Sequence, residues 1–66
     1  MKIIVNGEPR EVPDSLTVST LLAHLEIPAG RVAIERNLGI LPRSQWDSTP
    51  VGDGDRFEIV HFVGGG

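Results

Sequence analysis

The chain has 66 residues and a mass of 7.1 kDa, room for one domain and one core but not for a deep enclosed active site. It contains no cysteine, which excludes disulfide staples, thiolate metal sites, iron–sulfur clusters and thiol nucleophiles. Nine acidic against six basic residues give a net charge of −3, whereas a nucleic-acid binder needs a clustered basic face. Lys2, Arg10, Arg31, Arg36, Arg43 and Arg56 are instead scattered, and they read as solvated surface charge. Met1 leads straight into an apolar run, with no basic leader and no long hydrophobic segment. The expectation is a cytoplasmic chain that begins at Met1 and contacts no membrane.

The first element is a hairpin. Strands are expected over 2–6, through Ile3-Ile4-Val5, and over 9–12, with Asn6-Gly7 as the strongest short turn signal between the two extended runs. Alternation puts Ile3 and Val5 on one face and Ile4 on the other. Pro9 has no N–H for a ladder, so the second strand belongs at a sheet edge. A helix over 18–25 follows. Val18, Leu21, Leu22 and Leu25 form one apolar stripe, Thr17 is the N-cap, and Leu16 with Leu21 makes a hydrophobic staple. Pro28 and Gly30 are expected to close it. His24 falls on the polar side and reads as solvated.

Residues 31–36 read as a strand through Val32, Ala33 and Ile34, and Ile40-Leu41 as a short strand followed by a tight turn after Pro42. Trp46, the sole tryptophan, reads as a lid over one end of the core. Gly52-Asp53-Gly54-Asp55 lacks the further oxygen ligands of a calcium loop and reads as a turn. The last strand covers 56–62, with Phe57 and Ile59 facing the core. From Val60 through His61, Phe62 and Val63 the alternation fails. Either this strand is covered on both faces, or its outer face meets a partner. One helix covers only one face, which favours the partner. The expected core is Ile3, Val5, Val18, Leu21, Leu22, Leu25, Phe57 and Ile59. The economical architecture is α+β, a mixed four- or five-stranded sheet on one helix. If the last strand runs parallel to the first, this is the β-grasp arrangement.

No side-chain constellation looks catalytic. Ser15, Ser19, Ser44 and Ser48 lack a G-x-S-x-G elbow, His24 and His61 have no nucleophile or clustered carboxylates beside them, and phosphate-binding glycine motifs are absent. Neither a catalytic residue nor a metal ligand is assigned. The chain's end, Val63-Gly64-Gly65-Gly66, has two readings. One is a disordered terminus. The other is a tail without Cβ atoms that reaches about 10–11 Å in extended form and can enter a narrow channel of another protein.

The sequence resembles the ThiS family of sulfur carrier proteins from end to end. The matching segments are Ile3-Ile4-Val5-Asn6-Gly7, Thr17-Val18 with Leu21-Leu22, Val32-Ala33-Ile34-Glu35-Arg36-Asn37, Pro42-Arg43-Ser44-Gln45-Trp46, Asp53-Gly54-Asp55 and Gly65-Gly66. Leu38, after Asn37, stands where a small turn residue is commoner. The resemblance implies a ubiquitin-like β-grasp domain over 1–63 and a flexible glycine tail over 64–66. It implies that the carboxylate of Gly66 is adenylated with ATP by a ThiF-like, E1-type adenylyltransferase. Sulfur from a cysteine desulfurase then makes Gly66 a thiocarboxylate, which a ThiG-like thiazole synthase uses in thiamine biosynthesis. The chain is thus expected to be a recycled co-substrate, monomeric when free, with no bound cofactor of its own. Ile4, Val60 and Phe62 are expected to form an apolar docking patch for the partner enzymes, unless Phe62 merely closes the lower core. The alternatives are the small subunit of molybdopterin synthase, a ubiquitin-like protein modifier, and a TGS-type nucleic-acid module.

Overall fold

A computed structural model describes residues 1–62. The expected boundary between a 1–63 domain and a 64–66 tail therefore lies outside the described residues. The chain opens with β1 (Lys2–Val5) and β2 (Glu8–Glu11), paired antiparallel from Lys2 with Glu11 to Val5 with Glu8. Asn6 and Gly7 turn the hairpin at φ of +50° and +81°, as a type I′ loop requires. The expected strand over 2–6 ends one residue early because Asn6 has left the extended region. The second strand also shifts, from 9–12 to Glu8–Glu11, although the Val12 N–H still donates to the Met1 carbonyl at 2.9 Å.

Helix α1 spans Val18–His24. Its N-cap Thr17 forms a capping box with Thr20: the Thr17 hydroxyl accepts from the Thr20 N–H, and the Thr20 hydroxyl accepts from the Thr17 N–H at 2.8 Å. The helix stops earlier and by another means than expected. Glu26 adopts φ +59°, the Glu26 N–H donates to the Ala23 carbonyl at 3.1 Å, and the Ile27 N–H donates to the Leu22 carbonyl at 2.9 Å. This is a Schellman closure with glutamate where glycine is usual, so Pro28 and Gly30 are not the terminators. Leu25, at the C-cap, is only half-buried at the core's margin.

The chain then forms β3 (Val32–Arg36), β4 (Gly39–Leu41) and β5 (Arg56–His61), with single 3-10 turns at Ala29–Arg31 and Arg43–Gln45. The strand boundaries differ from the expected 31–36 and 56–62 by a residue each. Among the described residues the sheet is five-stranded in the order β2-β1-β5-β3-β4. β5 lies parallel to β1 and antiparallel to β3, which is the β-grasp arrangement. β2, with Pro9, is at an edge as its missing donor demands. Between β3 and β4, Asn37 and Leu38 take φ of +50° and +75° in a second two-residue turn.

The core contains Ile3, Val5, Val18, Leu21, Leu22, Phe57 and Ile59 as expected, and Val12, Val32, Ile34, Trp46 and Val51 complete it. Trp46 is a buried core member and not a lid. Its Nε1–H donates to the Leu41 carbonyl at 3.0 Å. The Arg43 guanidinium lies 4.3 Å from its ring centroid and donates to the carbonyls of Ala29 and Val32 at 2.7 and 3.2 Å. Arg43 is thus exposed, as expected of a surface charge, and in addition clamps the chain around Trp46.

Asp55 corrects the reading of Arg36 as solvated surface charge. The Asp55 carboxylate is buried in the turn before β5. It accepts from the Gly52 N–H at 2.7 Å, Asn37 Nδ2 at 3.2 Å and Arg36 Nε at 3.1 Å, and Arg36 Nη2 lies at 3.0 Å. Burial by itself raises the carboxyl pKa. The Gly52, Asn37 and Arg36 hydrogen bonds and the Arg36 charge outweigh it and hold Asp55 below the ordinary carboxylate range.

Candidate functional site at the end of the last strand

β5 is the last strand before the glycines in the sequence, and its two edges are held unequally. On one edge β3 accompanies it along its whole length, from Arg36 opposite Phe57 to Val32 opposite His61. The Phe62 N–H extends this pairing by donating to the Arg31 carbonyl at 2.8 Å. On the other edge β1 pairs only at Ile4 with Arg56 and Val5 with Phe57, and then turns away. Asn6 fills the next position. Its N–H donates to the Phe57 carbonyl at 2.8 Å, its Oδ1 accepts from the Ile59 N–H at 2.7 Å, and its Nδ2 donates to the Ile59 carbonyl at 3.1 Å. This second role of Asn6 is not legible in the hairpin signal, which uses only its tolerance of positive φ. Gly64, Gly65 and Gly66 lie outside the described residues.

The sheet face away from α1 is the surface around the end of β5. Val60 and Phe62 are 56% and 59% exposed, so Phe62 does not close the core. The register puts Ile4 on the same face but level with Arg56, about 13 Å from the level of Val60 at ~3.3 Å per residue. Ala33 stands directly across from Val60 instead. Ile40, 82% exposed, lies opposite Glu35, which is opposite Glu58. The sequence places Ile40 in a short strand but not on this face, which depends on its register with Glu35. The face is thus apolar beside the end of β5 and acidic behind it.

No catalytic arrangement accompanies this surface in the described residues. His24 and His61 are exposed, and no three His, Asp or Glu side chains there gather closely enough to hold a metal ion. A shallow depression of about 270 Å³, lined by Asn37, Leu38, Gly54 and Arg56, lies at the opposite end of β5 from the tail. No helix among the described residues is long and apolar enough to cross a membrane.

The sequence model of the ThiS family matches residues 3–66. The chain belongs to the ThiS family. A crystal structure of the thiamine biosynthesis protein ThiS from Geobacter metallireducens is 40% identical, covers all of both chains and superposes with a TM-score of 0.86. Sulfur carrier protein ThiS of Bacillus subtilis is 40% identical over 53 residues, 80% of each chain. A thiazole synthase of Paramagnetospirillum magneticum is 48% identical over the whole of this chain, which spans only 20% of that protein's length. A second thiazole synthase, from Magnetococcus marinus, is likewise matched over 20% of its length.

Proposed function

We propose that the chain is a carrier whose working group is the carboxylate of Gly66, activated and loaded with sulfur by partner enzymes. In this reading Gly66 is the final residue. A carboxylate is ionised at neutral pH and is a poor electrophile. Attack of its oxygen on the α-phosphorus of ATP expels pyrophosphate and makes an acyl-adenylate, the step assigned to an E1-type adenylyltransferase. The terminal sulfur of a persulfide derived from a cysteine desulfurase then attacks the acyl carbon, and AMP leaves. A thiol cleaves the resulting S–S bond and leaves a thiocarboxylate on Gly66. Thiazole synthase takes that sulfur and returns the carboxylate, so the chain is a recycled co-substrate and not a catalyst.

The observation that carries this reading is the family match running through Gly66 itself. The thiazole synthases whose sequences include a segment like this whole chain support thiazole synthase as the acceptor. The apolar surface of Val60, Phe62 and Ala33 beside the tail exit suits docking of enzymes that must draw the tail into a channel. Ile4 extends this face toward β1 and is the outlying member of the proposed patch. One extra residue appended after Gly66 converts its carboxylate into an amide. ATP–pyrophosphate exchange by an E1-type adenylyltransferase should therefore be lost in the extended chain while its fold is retained. Exchange at the parental rate would overturn the assignment to Gly66.

A further inference from the structure

We propose that Asn6 is a positioning residue that aims the tail, a role that rests on the carrier reading above. β1 stops at Val5, yet β5 continues to His61 before the tail begins. A strand held on one edge only is free to swing about its remaining partner. The Asn6 carboxamide supplies the missing edge. It presents one acceptor and one donor to the N–H and carbonyl of a single residue, Ile59, at 2.7 and 3.1 Å. In a continuing parallel ladder those two bonds would come from two β1 residues, the carbonyl of one and the N–H of the residue two further on, and here one carboxamide supplies both. The left-handed backbone of Asn6 makes this possible, because at φ +50° the chain has already turned and the side chain replaces the strand.

Past Ile59 the strand's polar groups on the β1 side meet no strand. His61 faces that open side, because the hydrogen bond from Phe62 to Arg31 commits the neighbouring residue to β3. Among the described residues, Asn6 is thus the last contact on that edge of β5. Its Ile59 anchor lies seven positions before Gly66 in the sequence, so the clamp fixes the direction of β5 close to the point where the described residues end. Docking of the domain and placement of the tail are then separable functions. The exposed face governs the first and the Asn6 clamp the second.

The separation is tested with Asn6→Gly, which keeps a residue at ease at positive φ and removes only the carboxamide. Amide exchange at Ile59 should accelerate while the spectra of β1, β2 and α1 stay those of the parent. In adenylation by an E1-type adenylyltransferase with ATP, KM for the carrier should stay within about twofold and kcat should fall about 10- to 100-fold. Asn6→Asp, which keeps the acceptor for the Ile59 N–H but loses the donor, should fall between the two and guards against a folding defect in the glycine variant. An unchanged kcat, unchanged exchange at Ile59, or a loss confined to KM would overturn the proposal. Failure of the parent chain to be adenylated would overturn the carrier reading instead, and exchange at Ile59 would still decide whether the clamp exists.

Discussion

Asp55 ties its own turn, through the Gly52 N–H, to the neighbouring Arg36 and Asn37 at the end of β3. In the sequence it is one of two aspartates in a glycine-rich turn, and nothing in the residue types separates it from the exposed Asp53. The Gly52 bond is local, but the Arg36 and Asn37 partners come only from the register of β3 against β5. The pH dependence follows from its lowered folded pKa. In the unfolded chain an aspartate titrates near ~3.9, so this contribution is complete above that pH and is lost as pH falls through the folded value. Asp55→Asn should lower stability at pH 7 by about 1–3 kcal/mol and flatten the acid limb below pH ~4. Urea melts from pH 7 to pH 2 measure both, and parallel limbs for parent and variant would contradict the account. Leu38 illustrates a second limit of sequence. A leucine 84% exposed at φ +75° satisfies neither packing nor turn preference, and only its place between paired Arg36 and Gly39 explains the conformation.

The elements with strong local signals were legible. Asn6-Gly7 specifies the first hairpin, Pro9 its edge position, and the stripe of Val18, Leu21 and Leu22 the buried face of α1. The helix end was not, because glutamate rarely takes the left-handed position of a Schellman closure and Gly30 is the obvious candidate. Leu25 was assigned to the core for the same reason, since extending the helix one residue carries the stripe with it. At the centre of that stripe Leu22 is 1% exposed and packs α1 onto the sheet. Leu22→Ala should cost about 2–5 kcal/mol, a large share of the stability of so small a domain. A calorimetric melt indistinguishable from the parent's would refute the assigned helix face.

At the scale of the molecule, among the described residues one α-helix covers one face of five strands and leaves the other face open, with Val60 and Phe62 exposed near the end of β5. The failed alternation after Ile59 pointed to this surface, but the sequence could not place Ile4 level with Arg56 or bring Ile40 to the same face. Those positions depend on strand order and register. Phe62→Asp adds a charge at an exposed position, so the melting temperature should stay within a few degrees while affinity for the adenylyltransferase drops at least about tenfold. Unfolding of the variant would return Phe62 to the core. The central claim is that sulfur is carried on Gly66, and intact-mass analysis tests it most directly. After incubation with ATP, the adenylyltransferase and a persulfide source, the chain should gain the mass difference between sulfur and oxygen, and fragmentation should place it on Gly66. A sulfur adduct on any side chain, or no gain with an active adenylyltransferase, would contradict it.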